Sequence, residues 1–224
     1  MMNNDHEVIQ WIKNEIKTYP KGKLTTPKVR EISRLAFQRL KNQEIHHVLE
    51  IAETLLKEKS WAESIIAYDF CYRVKKQYTK ETFDAFEHIL FTYVHDWWDC
   101  DDFCTHAFGE LLCQFDLFDE RIIKWVYHEK FAVRRAAAVI QILPIKRNLH
   151  HKMNPFIVSD LLMNDTHDLV LKGYGWMLKV LSQKEPMKVY HYLKQHEEEM
   201  PRVSFRYALE KMDERLKKEL MEKS

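Results

Sequence analysis

The sequence predicts an all-α protein, and three observations support this fold class. Nearly every segment of the 224-residue chain repeats its apolar residues with the period of an amphipathic helix. No alternating apolar run bounded by turn signals predicts a β-strand. The chain also has only 4 Gly and 6 Pro, the residues that most often interrupt helices. The length suffices for one large core, and we expect a single domain over residues 1–224.

Composition and charge narrow the possible functions. Hydrophobic residues make up 46% and charged residues 31% of the chain, which is typical of a folded soluble protein. The net charge of +1 means that any contact with nucleic acid must come from local clusters of Lys and Arg. The first residues are polar, and no apolar run approaches the roughly 20 residues that span a bilayer. We therefore expect a cytoplasmic protein without a membrane contact.

The four cysteines predict neither a disulfide framework nor a metal site. None of them forms a C-x-x-C pair. Cys100 and Cys104, with His106, form one loose cluster, whereas zinc sites usually need two well-spaced ligand pairs. We expect no metal and no cofactor.

Caps and breaks place the helices of the N-terminal half. A first helix covers residues 5–18 and ends at a loop that contains a proline and a glycine. Thr26 as N-cap, followed by Pro27, predicts the start of a second helix that runs to about residue 40. Ser60 and Glu63 have the spacing of a capping box. The other predicted helices of this half cover residues 43–58, 61–77, 80–94 and 97–114.

The C-terminal half continues the same pattern. Helices are predicted over residues 119–127, 131–143 (ended by Pro144), 155–163, 167–182, 186–196 and 201–212, with a charged final helix from 213. Pairs of helices recur about every 35 to 45 residues, which is the period of HEAT and armadillo repeats. We therefore expect an α-α superhelix, a solenoid of degenerate HEAT-like two-helix repeats. An irregular helical bundle is the alternative.

The stretch of residues 96–102 is the strongest candidate for chemistry, because it contains two tryptophans and four acids. In a helix, Trp98 and Asp102 lie four residues apart and share one face. A large aromatic beside a carboxylate can receive a cation, or a sugar that becomes cationic. Core tryptophans followed by a solvated acidic helix start would give the same pattern, so the stretch alone leaves both interpretations open.

Two later segments carry further candidates. Arg134 and Arg135 precede three alanines, which let a neighbouring helix pack closely while the arginines project. Guanidinium groups match phosphate oxygens, although a salt-bridged face is equally consistent with the pattern. Gly173 and Gly175 interrupt a helical segment, which indicates close packing or ligand access. Trp176 beside them is either an exposed functional aromatic or a core residue.

Taken in order, these motifs resemble a known family. The sequence reads WWDxxD at residues 97–102, KW at 124–125, RRAA at 134–137, KxxGW at 172–176 and RYAL at 206–209. This order is similar to that of the AlkD-like family of DNA alkylation repair glycosylases, which are built from HEAT-like repeats. The resemblance covers most of the chain from about residue 61. It implies hydrolysis of the N-glycosidic bond of cationic N3- or N7-alkylated purines in double-stranded DNA, without the base-extruding pocket of most glycosylases.

The resemblance also implies roles for particular residues. Trp98 and Asp102 would be the aromatic and the carboxylate of the catalytic face, and Trp176 the second aromatic wall of the cleft. We expect these three side chains to converge with Arg135 on one solvent-open cleft.

The DNA-binding roles come from the same resemblance. Arg135 would contact the DNA backbone near the lesion, with Arg134 and Lys172 assisting, and Lys179 stands where the family often has an arginine. We expect a monomer that binds alkylated double-stranded DNA. The alternatives are a non-catalytic HEAT-like DNA-binding protein for damaged or branched DNA, and a helical scaffold for a protein partner.

Overall fold

The computed structural model describes residues 2–115, 117, 120–151 and 153–221, without the side chains of residues 2 and 3. Every regular element within these ranges is a helix, which confirms the predicted all-α class. No helix among them is long and apolar enough to cross a membrane. The chain divides into two compact units, one of Met1–Val94 and His106–Leu111, the other of His95–Thr105 and Leu112–Ser224. The expectation of one domain stays a prediction.

The helices of the first unit pack on helices one or two positions away in the chain. Its helices are α1 (Met2–Lys17), α2 (Thr26–Phe37), α3 (Ile45–Leu56), α4 (Trp61–Arg73) and α5 (Thr82–Tyr93), with a 3-10 turn at Lys75–Gln77. Helix α2 packs on α1 and α4, and α3 packs on α4, in agreement with the predicted α-α organisation. The rings of Phe83 and Phe86 meet that of Phe108 edge to face, with centroids 5.1 and 5.5 Å away.

The second unit is organised around one long helix, α12. The remaining helices are α6 (Trp97–Thr105), α7 (Ala107–Gln114, whose first residues belong to the first unit), α8 (Glu120–Lys124), α9 (Phe131–Val139), α10 (Ile142–Lys146), α11 (Pro155–Leu162), α12 (Asp168–Ser182), α13 (Pro186–Gln195), α14 (Arg202–Leu209) and α15 (Glu214–Met221). Helix α12 packs against α9, α10, α11, α13 and α14. Its buried side chains recur with the helical period, at Val170, Tyr174, Met177, Leu178 and Leu181.

Some predicted boundaries were wrong, for local reasons. The N-cap of α2 is Thr25 in extended conformation, so Thr26 is already helical. Ser60 is the N-cap of α4, but its hydroxyl donates to the Glu63 carboxylate, and its side chain does not cap the backbone. Pro144 does not end a helix but lies in the first turn of α10, where a backbone N–H has no intrahelical partner to lose. The single helix predicted over residues 97–114 is divided into α6 and α7.

Helices α12 and α14 approach each other closely at Gly175. A Cβ atom added to Gly175 would lie 2.9 Å from the Ser204 carbonyl oxygen and 2.9 Å from Cβ of Tyr207. The Ser204 hydroxyl donates to the Leu171 carbonyl oxygen at 2.8 Å, which joins the two helices at the same place. The missing side chain of Gly175 therefore fixes how near α14 lies to α12.

Replacing Gly175 with alanine is expected to lower the free energy of unfolding by about 1–2 kcal/mol. The forced shift of a backbone carbonyl outweighs the helix propensity of alanine, which favours the variant by about 1 kcal/mol. Urea denaturation followed by circular dichroism measures the difference. Gln195→Ala, at an exposed position of α13, is the control and should change the free energy by less than about 0.5 kcal/mol. A Gly175→Ala variant more stable than wild type would mean that α14 can move away at no cost.

Candidate functional site

The second unit contains an open cleft of about 370 Å³. Its walls come from α6, α9, α12 and α14. The side chains that line it are Trp97, Asp101, Arg135, Leu169, Lys172, Trp176, Lys179 and Tyr207. The cleft therefore combines aromatic surface, one carboxylate and three cations.

The buried face of α6 determines which of its side chains reach the cleft. Cys100, Phe103 and Cys104 are fully buried and anchor the helix on that face. Trp97 and Asp101 lie four residues apart on a neighbouring face, so both point into the cleft. Trp97 is 48% exposed, so a ligand can reach its ring.

Arg135 on α9 holds the Asp101 carboxylate with two parallel hydrogen bonds. Its Nε donates to Oδ1 and its Nη2 to Oδ2, each at 2.8 Å. A third N–H, on Nη1, donates to the Leu169 carbonyl oxygen of α12. The ion pair is well covered, since the Arg135 side chain is 6% exposed and that of Asp101 is 20% exposed. Three helices are joined at this one guanidinium.

The two partners influence each other's protonation. Burial raises the pKa of the Asp101 carboxyl above its ordinary value and outweighs the hydrogen bonds and charge of Arg135, which lower it. Burial acts to lower the pKa of Arg135, but the hydrogen bonds and charge of Asp101 raise it. The two N–H donors of Arg135 face the two oxygens of Asp101 as in an ionic pair, and each oxygen keeps a second lone pair.

The cations and aromatics on the other side of the cleft come from α12 and α14. Lys172 pairs with Asp168 at 2.5 Å and Lys179 with Glu210 at 2.6 Å, and both carboxylates are largely exposed. Lys179 Nζ also lies 5.5 Å from the centroid of the Tyr207 ring. Trp176 is half-buried and lies between the two lysines on the same face of α12.

The expected convergence of four residues is found for Arg135 and Trp176 but not for Trp98 and Asp102. Trp98 and Asp102 are half-buried, and neither lines the cleft. Trp97 and Asp101 take their places, one position earlier along α6. The pair that lines the cleft therefore has the expected i, i+4 spacing, and the roles expected of Trp98 and Asp102 stay predictions.

The expectation that both arginines project was also wrong. Arg135 is buried, and Arg134 lies outside the cleft. Arg134 pairs with Asp165 through Nε at 2.6 Å and Nη2 at 3.2 Å. Its Nη1 donates at 2.9 Å to the carbonyl oxygens of His128 and Glu129. Arg134 thus fastens the segment before α9 to the segment before α12, which is a structural role.

Sequence reasoning missed Trp97, Asp101 and Tyr207. The apolar residues Cys100 and Phe103 identify the buried face of α6, and this signal was available in the sequence. Tyr207 belongs to the RYAL motif, but only the approach of α14 to α12 brings it to the cleft. No group of three or more His, Cys, Asp or Glu side chains among the described residues could hold a metal ion.

Comparisons with known proteins found a matching family model and a similar solved structure. The family model described as DNA alkylation repair enzyme matches residues 7–212. A solved structure described as a predicted DNA alkylation repair enzyme from Enterococcus faecalis has a TM-score of 0.66 and 15% sequence identity. That match covers 95% of this chain and 96% of the other, and at this identity it shows the fold alone. No curated protein matches the chain.

Arg134→Ala is expected to lower the free energy of unfolding by about 3 kcal/mol, because it leaves the Asp165 carboxylate, whose side chain is 7% exposed, without its charged partner. Lys172→Ala removes an ion pair of the same charge type at the surface, and we expect it to leave the free energy of unfolding unchanged within error. Guanidinium chloride denaturation compares the two variants. Equal stability of both would contradict the structural role of Arg134.

Proposed function

Because this chain belongs to the family of DNA alkylation repair enzymes, we propose that it is a DNA glycosylase that releases cationic N3- or N7-alkylated purines from double-stranded DNA. The observation that carries the proposal is the cleft of the second unit. There the Asp101 carboxylate shares the cleft with an exposed tryptophan, Trp97, and a half-buried one, Trp176. This combination suits a reaction in which positive charge moves from a base to a sugar.

The leaving group determines what the protein must supply. An alkylated purine already carries a positive charge, so it departs as a neutral base when it takes the electrons of the C1′–N bond. No strong acid is needed to protonate it. The deoxyribose left behind is an oxocarbenium-like cation, which water attacks at C1′, and the water loses a proton. The carboxylate of Asp101 stabilises the cation, positions the water and accepts that proton.

The two tryptophans bind the sugar and backbone around the reacting bond. An aromatic face attracts a positive charge within about 6 Å, and the attraction grows as the sugar becomes cationic. Trp97 is exposed enough to make this contact without rearrangement. The open cleft accepts a nucleotide at its edge, and the reaction needs no deep pocket for an extruded base.

The lysines of α12 are the proposed phosphate ligands. Lys172 and Lys179 line the cleft two helical turns apart, and each is paired with a largely exposed carboxylate, Asp168 or Glu210. Exposed ion pairs contribute little, so a DNA phosphate can replace either carboxylate at small cost. Binding by this exchange should weaken as salt concentration rises.

One observation favours a non-catalytic DNA-binding protein as the second candidate. Arg135 already engages both oxygens of the Asp101 carboxylate. If a carboxylate held in this way activated no water, the protein would bind damaged or branched DNA without cleaving it. Binding without base release is therefore the distinguishing result.

The decisive experiment incubates the protein with methylated DNA and measures free N3- and N7-methylpurines by mass spectrometry. We expect release by wild type and a loss of about 100-fold or more for Asp101→Asn, because a neutral amide neither stabilises the sugar cation nor accepts a proton. Asp102→Asn is the matched control, since Asp102 lies on the same helix but outside the cleft, and we expect it to retain release.

Circular dichroism spectra and DNA affinities of both variants show whether a loss of base release comes from a loss of the fold. If Asp102→Asn abolished release and Asp101→Asn did not, the choice of carboxylate would be wrong. Binding of methylated DNA without release of any base would favour the non-catalytic candidate.

A further inference from the structure

The surroundings of Arg135 leave it little freedom to bind a phosphate. Arginine has five N–H donors, and three of those of Arg135 are engaged, two by Asp101 and one by the Leu169 carbonyl oxygen. The residue is 5% exposed. If it turned toward DNA, the covered Asp101 carboxylate would lose its counter-charge, which is costly for a buried pair.

Gly173 contributes to the same arrangement. A Cβ atom added to Gly173 would lie 3.0 Å from Cγ and 3.2 Å from Nη1 of Arg135. The bare backbone of α12 at this position therefore leaves the space through which the arginine side chain passes. Leu169, one helical turn earlier, supplies the carbonyl oxygen that receives Nη1. Helix α12 thus fixes the guanidinium by contact on one side and by a hydrogen bond at its tip.

The lysines of the cleft differ from Arg135 in the exposure of their own side chains and in the exposure of the carboxylates that pair with them. The side chain of Lys172 is 34% exposed and that of Lys179 is 20% exposed, against 6% for Arg135. Their partners, Asp168 and Glu210, stay hydrated when the lysines leave them, because these carboxylates are largely exposed. Lysine is also a flexible point charge that follows a phosphate easily. Phosphate binding therefore falls to the lysines.

We infer that Arg135 is a positioning residue, not a phosphate ligand: it holds the Asp101 carboxylate in the orientation that the reaction requires, and Gly173 keeps the space that this arginine needs. The inference rests on the proposed glycosylase function of Asp101. It replaces the role in DNA backbone contact that the family resemblance implies for Arg135.

The physical consequence is a carboxylate that is both oriented and kept ionised. Two parallel N–H donors define the plane of the Asp101 carboxylate and occupy one lone pair on each oxygen, which leaves the others for a water or a sugar. The charged groups that act on Asp101 are Arg135, which lowers its pKa, and Asp102, which raises it. Cys100 beside it stays a neutral thiol, because burial raises its pKa. Weakening the contact with Arg135 should therefore raise the pKa of Asp101.

Two variants test this role. Arg135→Gln removes the charge and the paired donors, and Gly173→Ala keeps every charge but displaces the guanidinium. For both, we expect single-turnover release of methylpurine at saturating DNA to fall about 10- to 100-fold, since small misplacements of a reacting group have effects of that size. The acid limb of the pH–rate profile should move to higher pH, because the carboxylate is protonated more easily. A purely structural defect would not move that limb.

DNA affinity measured over a range of salt concentrations gives the second readout. We expect both variants to keep the wild-type slope of log affinity against log salt. Lys172→Ala is the comparison, and it should lower the magnitude of that slope by about 0.9, the value for one lost phosphate contact on duplex DNA. Since Gly173→Ala changes no functional group, it decides the question if Arg135→Gln does not fold.

The possible outcomes separate the two proposals. A lower salt slope for Arg135→Gln with an unchanged release rate would overturn the positioning role and restore a phosphate contact. A release rate and acid limb unchanged in Gly173→Ala would overturn it as well. If wild type releases no base, the glycosylase proposal fails, and the salt slopes still decide whether Arg135 binds phosphate.

Discussion

The ion pair between Arg135 and Asp101 is the interaction on which the second unit depends. It joins three helices, because the guanidinium of α9 binds the carboxylate of α6 and a backbone carbonyl of α12 at once. A covered charge that lost this pairing would destabilise the fold strongly. The same pair sets the orientation and protonation of the carboxylate proposed for catalysis. Packing and chemistry are therefore coupled here, and neither can change without the other.

Small residues make this meeting of helices possible. Ala132, Ala136, Ala137 and Ala138 on α9 are fully buried, and their short side chains let neighbouring helices approach its backbone. Glycines do the same on α12, where Gly173 makes room for Arg135 and Gly175 makes room for α14. Each glycine lowers helix stability by about 1 kcal/mol relative to alanine. The space that the glycines leave lets the long polar side chains of the cleft reach their partners.

The sequence is informative about what each helix contains and less so about how it is rotated. Period and caps predict the all-α class and most of the helices, because both are local properties. The i, i+4 spacing alone does not determine which face of α6 lines the cleft, since Trp97 with Asp101 and Trp98 with Asp102 have the same spacing. One residue along a helix is a rotation of roughly 100°, so a one-residue error moves a side chain out of a cleft. In the structure, the ion pair with Arg135 on another helix distinguishes Asp101 from Asp102.

The charges of the cleft also indicate how a nearly neutral protein would handle an anionic polymer. Its lysines are half-buried and already paired with exposed carboxylates of the same surface, which agrees with a net charge of +1. In the proposed binding mode each such carboxylate is exchanged for a DNA phosphate, so affinity would come from exchange at short range rather than from long-range attraction. Because the long-range attraction between protein and DNA is weak, damaged and normal bases would be distinguished by the groups that contact a cationic base. In the proposed function those groups are the exposed Trp97 and the carboxylate of Asp101, and both would act only where positive charge comes within a few ångströms.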